Sequence, residues 1–120
     1  MTMQRQELGK SGETMAAEEL ERRGYAILDR RYRSRHGEID IIAQDGETIV
    51  FVEVKARTTA ERGTAAEAVT PAKQRKLVSM AVDYLSRHGL HDRACRFDVV
   101  AIDGEGAVQR LVVYPHAFIR

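Results

Sequence analysis

The chain has few of the residues that mark disulfide-bonded or membrane-embedded proteins. Its 120 residues include one cysteine, Cys95, two prolines and no tryptophan. A lone cysteine excludes an internal disulfide and lacks zinc-site spacing, and we expect Cys95 to be a buried small apolar residue. No apolar run approaches the roughly 18 residues of a membrane span, and residues 1–10 hold no apolar core of a secretion signal. These absences predict a soluble cytoplasmic protein with no membrane partner.

An excess of charge of one sign is also missing. There are 19 basic and 18 acidic residues, which leaves a formal net charge of +1. Nucleic-acid-binding domains are often strongly basic, so this sum argues weakly against such a role. The distribution is uneven, because four arginines lie between Arg30 and Arg35, directly before a segment that carries acids. A nearly neutral chain can still hold a basic groove when its charges are segregated.

Hydrophobic periodicity predicts the order α-β-β-β-α-β-β. We predict a flexible segment over 1–10 and a single domain over 11–120. The first helix runs from a Ser11 cap to about Arg23, and the second from Thr70 and Pro71 to about His88. Strands are predicted over 25–28, 38–43, 48–55, 96–102 and 107–114. The connections are a basic loop over 30–36, a turn at 45–46, a polar loop over 57–70 and a turn over 104–106. This pattern indicates an α/β (α+β) domain with a mixed central sheet.

Charged side chains interrupt the apolar central strands. Residues two apart on a strand share a face, so Glu53 and Lys55 lie with Phe51, and Glu38 lies with Asp40. A hairpin between the two strands brings Asp40 across from the Glu53 region. Without partners, such charges are costly or shift their pKa. The cluster predicts a functional site, and a structural salt bridge between Lys55 and an acid is the alternative.

Two acids on neighbouring strands suit a hard divalent cation. Mg²⁺ or Mn²⁺ takes oxygen ligands, which Asp40, Glu53 and the backbone carbonyl of Val54 can supply. Such an ion activates water and stabilises charge on a phosphate under in-line attack. Lys55 is placed to orient the nucleophile or to stabilise the transition state.

Two polar residues lie on the apolar faces of the helices. Glu13 falls within about 60° of Ala16 and Leu20 on a helical wheel, and Gln74 lies about one turn before Leu77 on the apolar stripe of the second helix. An acid in that position is costly unless it has a partner. We therefore predict that Glu13 and Gln74 face the sheet and complete the catalytic group by holding water or an acid in place.

Basic residues flank the acids in the sequence. The arginine-rich segment precedes Asp40, and further cations open the second helix, where backbone N–H groups also favour anions. The predicted nucleic-acid-binding residues are Arg31, Arg33, Arg35, Arg57, Lys73, Arg75 and Lys76. They would contact phosphates, and a solvated basic surface is the alternative.

The remaining polar residues receive structural roles. The four histidines show no ligand spacing, and none is assigned to a metal. Asp98 follows Phe97 on a predicted strand, and we expect it to be the buried partner of an arginine, Arg96 or Arg57.

A long motif carries a resemblance to a known family. It reads Gly-Glu-Ile-Asp-Ile-Ile-Ala at 37–43 and Val-Phe-Val-Glu-Val-Lys-Ala-Arg at 50–57, with matching residues at 12–13, 24–25, 73–74 and 96–100. Over about residues 9–115 the chain resembles the PD-(D/E)xK, or restriction-endonuclease-like, superfamily. Within it, the chain is similar to the bacterial YraN family of predicted endonucleases, which are Holliday-junction-resolvase-like.

The resemblance implies a fold and a set of site residues. The fold is a restriction-endonuclease-like core, a mixed four- to five-stranded sheet flanked by helices. The metal-binding acids would be Asp40 and Glu53, the catalytic lysine Lys55, and a supporting acid Glu13. Ile39 stands where the superfamily's name has proline, a position that is loosely kept among such enzymes.

The resemblance also implies a metal-dependent endonuclease that hydrolyses phosphodiester bonds in DNA. Branched or junction DNA is among the candidate substrates, and a homodimer would supply the two active sites that nicking both arms of a junction needs. One alternative is a nucleic-acid-binding module that cleaves poorly or not at all and assists DNA repair or recombination. Another is an interaction domain whose charges are structural.

Overall fold

The computed structural model describes residues 11–57, 69–104 and 109–118, apart from the side chain of Arg57. The elements are α1 (Gly12–Arg22), β1 (Ala26–Ser34), β2 (Gly37–Asp45), β3 (Thr48–Arg57), α2 (Pro71–Arg87), β4 (Cys95–Asp103) and β5 (Arg110–Tyr114). The predicted order α-β-β-β-α-β-β is confirmed. Among these described elements, no helix is long and apolar enough to cross a membrane.

The strands form one five-stranded sheet in the order β1-β2-β3-β4-β5. β3 and β4 pair in parallel, and the other neighbouring strands pair antiparallel. A parallel pair needs a long crossover connection, and here that connection contains α2. The predicted mixed sheet flanked by helices is therefore confirmed.

Each helix packs on a different face of the sheet. Phe51 of β3 lies in the core that contains α2 residues such as Met80 and Leu77, whereas Val50 and Val52 lie in the core that contains α1. This division follows from the alternation of side chains along a strand. Fully burying one such side chain stabilises the fold by roughly 1.5–3 kcal/mol.

Both predicted helix starts are confirmed by their caps. The Ser11 hydroxyl accepts the N–H of Thr14 at 3.1 Å, and the Thr70 hydroxyl accepts the N–H of Lys73 at 3.2 Å. These bonds satisfy N–H groups that have no partner inside the helix. After α1, Gly24 adopts a φ of 94°, which reverses the chain at little cost because glycine has no Cβ.

The prediction of a basic loop over 30–36 is wrong. β1 continues to Ser34 and pairs with β2, and the turn lies at Arg35 and His36. Charged residues are poor indicators of a strand, but β1 lies at the edge of the sheet, where they are tolerated and discourage pairing with other chains. The arginines of this segment are therefore presented by a strand, and Arg31 adopts a left-handed φ of 57°.

The prediction that Cys95 is buried is also wrong. Cys95 is the first residue of β4, at the margin of the sheet, and its side chain is exposed. Several predictions lie wholly or partly outside the described residues: the flexible segment over 1–10, most of the loop over 57–70, most of the turn over 104–106, and the start of the last strand at 107.

The predicted pairing of Asp98 with an arginine is confirmed. Asp98 is fully buried, and Arg96 Nε donates to its Oδ1 at 3.0 Å. The N–H of His116 donates to the same oxygen at 3.1 Å. Arg96 also donates to Asp45 and to the hydroxyl of Tyr25. This network joins the residue before β1 to β2, β4 and the segment after β5.

Candidate active site

The hairpin of β2 and β3 brings Asp40 against the backbone of β3. Regular pairing runs as far as Ile41 opposite Val52. Just beyond this pair, Asp40 Oδ2 accepts the N–H of Val54 at 2.7 Å. An acid of one strand is therefore held by the main chain of the next.

Strand alternation is interrupted at Asp40. Ile39 belongs to the core under α2, whereas Ile41, two residues later, belongs to the core under α1. A regular strand would place them on the same face. Asp40 thus lies where β2 departs from regular geometry, a departure that the spacing of residues does not reveal.

Three carboxylates converge at this end of the sheet. Oxygens of Glu13, Glu38 and Asp40 lie within 4.8 Å of one another. Glu13 comes from the first turn of α1, which approaches the sheet closely: a Cβ on Gly12 would lie 3.1 Å from Cδ1 of Ile102. The close approach of α1 therefore brings Glu13 beside Glu38, although the two residues lie 25 positions apart in the chain.

A fourth acid, Glu53, lies at a neighbouring cavity. Its side chain is almost fully buried, with 6% of the residue exposed. The cavity has a volume of about 440 Å³, and its lining includes Glu38, Asp40, Glu53, Thr70, Lys73 and Lys76. The acids come from β2 and β3, and the cations come from the first turns of α2. The cavity therefore combines negative and positive groups, as a site for a metal and a phosphate would.

Three of the four acids carry an ion pair. Arg31 Nε lies 2.7 Å from Glu13, and Arg33 Nε lies 2.9 Å from Glu38. The Lys73 ammonium lies 2.5 Å from the Glu53 carboxylate. We call Arg31, Arg33 and Lys73 the counter-ion set. All three were predicted to bind nucleic acid, and in this structure each is engaged with an acid.

Asp40 is the acid with the most perturbed environment. Burial, and after it the nearby charge of Glu53, raise its pKa to about 7 against the opposing effect of the Val54 N–H bond. Within the described part of the chain, Asp40 has no cation within ion-pair distance. A carboxyl that is this costly to ionise is characteristic of functional sites.

Some predicted site residues are not at the cavity. Lys55 is half-buried on β3 and does not line it. Gln74 is also absent from the lining, and its side-chain amide donates to the carbonyl of Val69 at 2.9 Å. The roles predicted for Lys55, Gln74 and the carbonyl of Val54 stay predictions.

The other predicted nucleic-acid-binding residues divide into three groups. Lys76 lines the cavity beside Lys73. Arg35 and Arg75 are exposed, and neither forms an ion pair among the described residues. The side chain of Arg57 lies outside the described part of the structure.

Glu38 is the acid whose role the sequence did not predict. Its spacing of two residues from Asp40 indicated a shared face, but it was not assigned as a ligand. In the structure its carboxylate belongs to the cluster with Glu13 and Asp40. The i, i+2 spacing beside a predicted ligand was the available signal.

Comparison with known proteins places the chain in a family. Residues 12–102 match the model described as "Uncharacterised protein family UPF0102". The chain is 47% identical over 117 residues to a UPF0102 protein of Anaeromyxobacter dehalogenans, covering 95% of this chain and 85% of the relative. It is 44% identical over 118 residues to a UPF0102 protein of Geobacter metallireducens, covering 98% and 97%.

Among solved structures, the chain is similar to Pyrococcus furiosus SfsA, which was solved in complex with Ca²⁺. The TM-score is 0.40 at 14% identity, over 90% of this chain and 62% of that one.

The family match over 12–102 and the identities above 40% across nearly the whole chain settle its relationship. The chain belongs to UPF0102, the YraN family of the restriction-endonuclease-like superfamily.

Proposed function

We propose that this protein is a divalent-metal-dependent nuclease that hydrolyses phosphodiester bonds in DNA. The observation that carries the proposal is the convergence of acids from three elements at one end of the sheet, beside a cavity with cations. Membership of a restriction-endonuclease-like family supports the same reaction class. Charges gathered at this density are costly to maintain, and a metal and a phosphate would compensate both signs.

The chemistry of the donor set fits Mg²⁺ or Mn²⁺. The acids offer only oxygen ligands, which hard divalent cations prefer. In this proposal Asp40 and Glu53 hold the ion together with the backbone carbonyl of Val54, and Glu13 supports them. Glu38 is added as a further ligand or as an acceptor for water. When bound, such an ion would lower the pKa of a water molecule and stabilise charge on the phosphate.

The chain's own cations would position the DNA. Lys73 and Lys76 line the cavity in the first turns of α2 and would meet phosphate oxygens. Lys55 would orient the attacking water, which requires its ammonium to turn towards the cavity from its half-buried position on β3. Arg35 and Arg75, both exposed, would contact flanking phosphates without reading bases.

The test combines metal binding with cleavage. Mn²⁺ is titrated calorimetrically into the wild type, Asp40→Asn and the control Asp92→Asn, whose side chain is 96% exposed. The same proteins are then incubated with supercoiled, linear and four-way-junction DNA. We expect Asp40→Asn to lose both activities and Asp92→Asn to keep both. A wild type that binds no metal, or cleavage that survives Asp40→Asn, would contradict the proposal.

A second candidate is a DNA-binding module that keeps the site but cleaves poorly. The observation in its favour is that Lys55 does not line the cavity. In that case the wild type binds DNA without cutting it, and Lys55→Ala binds equally well. For an active nuclease, Lys55→Ala should still bind DNA but lose cleavage.

The proposal extends to branched DNA and a symmetric dimer. Nicking both arms of a junction needs two active sites related by symmetry. Sedimentation with and without a four-way junction measures the number of copies bound. Two copies on a junction support the extension, and one copy that cuts a single arm contradicts it.

A further inference from the structure

Three cations that would bind a phosphate form ion pairs with acids that would bind a metal. The counter-ion set binds three different carboxylates: Arg31 on Glu13, Arg33 on Glu38 and Lys73 on Glu53. The cations come from β1 and α2, and the acids come from α1, β2 and β3. Arg33 and Glu38 are cross-strand partners beside the β1–β2 turn, whereas the other two pairs join residues that lie far apart in the chain.

We propose that the counter-ion set exchanges partners, so that a divalent ion displaces Arg31, Arg33 and Lys73 from the carboxylates and the released cations bind DNA phosphates. This inference rests on the proposed function. It adds that metal and DNA bind with positive coupling, because each carboxylate is shared between a cation of the chain and the metal. Equilibrium coupling of this kind is reciprocal, so DNA would also tighten metal binding.

Arg31 and Arg33 can leave at small cost, and Lys73 can leave once another cation compensates Glu53. The side chains of Arg31, Arg33 and Lys73 are 58%, 76% and 50% exposed. Ion pairs of exposed side chains contribute little to stability, because water and salt screen them and ordering long side chains costs entropy. A divalent ion at the same oxygens is a stronger competitor than a screened ammonium or guanidinium.

The burial of Glu53 requires that another cation replaces Lys73 when Lys73 leaves. Its carboxylate side chain is only 8% exposed, so leaving its charge without a compensating cation is costly. Lys73 supplies that charge in the structure described, and the metal would supply it in the active complex. Lys73 also lines the cavity, so a short movement of its ammonium would bring it to a bound phosphate.

The exchange would increase the positive charge that DNA contacts at the protein surface. While the counter-ion set is paired, its positive charge is largely cancelled by the acids. After metal binding, up to three more cations become available, and each phosphate contact steepens the dependence of DNA affinity on salt by about 0.9 in the log–log slope. The metal would thus both complete the site and open the binding surface for its substrate.

The experiment measures DNA affinity with and without metal. Binding of a fluorescent duplex and a four-way junction is followed by anisotropy at zero and saturating Mn²⁺, before cleavage begins, over a range of salt. In the wild type we expect Mn²⁺ to raise DNA affinity at least about fivefold and to steepen the salt slope. In Lys73→Gln and in Arg33→Gln, part of that gain should vanish, because each variant removes one of the three released cations.

The matched control is Lys76→Gln. Lys76 lines the same cavity and forms no ion pair among the described residues. It should lower DNA affinity by the same factor with and without Mn²⁺, whereas Lys73→Gln should lower it mainly with Mn²⁺. In calorimetry without DNA, Lys73→Gln should bind Mn²⁺ more tightly than Lys76→Gln, because it alone removes a direct competitor.

Lys73→Arg and Arg33→Gln keep the experiment decisive if Lys73→Gln does not fold. Lys73→Arg keeps the charge opposite buried Glu53 and should restore part of the coupling, and Arg33→Gln changes a pair that is largely exposed. The inference is overturned if Mn²⁺ binds without changing DNA affinity, or if the Lys73 and Lys76 variants behave alike. Failure of the wild type to bind Mn²⁺ would instead remove the proposed function, and this inference with it.

Discussion

The backbone N–H of Val54 donates to the carboxylate of Asp40 at 2.7 Å, which joins two residues that lie 14 apart in the chain. The bond lies immediately beyond the last regular pair of the β2–β3 hairpin. It orients Asp40 and satisfies an N–H group at the point where the regular β2–β3 pairing ends. Asp40, which we propose to bind metal, therefore also forms the contact that ends the β2–β3 hairpin.

This bond predicts different stabilities for two variants of Asp40. Asp40→Asn keeps an oxygen that can accept the Val54 N–H, whereas Asp40→Ala leaves this N–H without its acceptor. We expect Asp40→Ala to be less stable than Asp40→Asn by about 1–2 kcal/mol. Urea denaturation without divalent ions measures the difference. Equal midpoints would show that the bond contributes nothing.

The pKa of Asp40 predicts a pH dependence of stability. Burial and the charge of Glu53 raise it from 3.8 to about 7, so the folded protein keeps this proton to a higher pH than the unfolded chain. The stability contributed by Asp40 is fully present below about pH 4 and is lost as the pH rises towards 7. The free energy of unfolding of the wild type, relative to Asp40→Asn, should therefore fall over that range.

Chemical denaturation at pH 4.5, 6 and 8 with a chelator present tests this prediction. Asp92→Asn, at an exposed position, is the control and should follow the wild type. Metal affinity should change in the opposite direction and rise with pH, because the ion competes with the proton for Asp40. A constant difference between wild type and Asp40→Asn would mean that Asp40 ionises normally.

The left-handed conformation of Arg31 predicts an unusual effect of glycine. Its φ of 57° is unfavourable for residues with a Cβ and easy for glycine. Both Arg31→Gly and Arg31→Ala remove the ion pair with Glu13, so their comparison isolates the backbone. We expect Arg31→Gly to melt about 3–6 °C above Arg31→Ala. A lower melting temperature for the glycine variant would show that the flexibility of glycine outweighs the strain.

The Arg96 network predicts a large loss of stability from one substitution. Arg96→Leu would leave fully buried Asp98 without its cation, which should cost about 3–5 kcal/mol. Arg96→Leu combined with Asp98→Leu removes both charges and should recover much of the loss, although the His116 N–H then lacks its acceptor. Denaturant midpoints of the two variants give the answer. A double variant less stable than the single one would show that Asp98 is needed for its other bond.

Local chemistry in the sequence was enough to predict most of the fold. The caps at Ser11 and Thr70 and the turn after Asp45 depend on residues a few positions apart, so they can be recognised from the chain. The alternation around Glu53 likewise predicted that Phe51 lies on one face of β3 and that Val50, Val52 and Val54 lie on the other. The extension of β1 was missed because it depends on pairing with β2 rather than on its own residues.

The sequence by itself determined the order of elements, the two cores and the presence of acids beside cations near the central hairpin. Only the tertiary structure decided which charges meet. The approach of α1 brings Glu13 to Glu38 and Asp40, and α2 brings Lys73 to Glu53. The pKa of Asp40 depends on the same packing, since burial and a charge from another strand raise it. Burial and Coulomb energies depend on distances in space, which the spacing of residues along a chain does not contain.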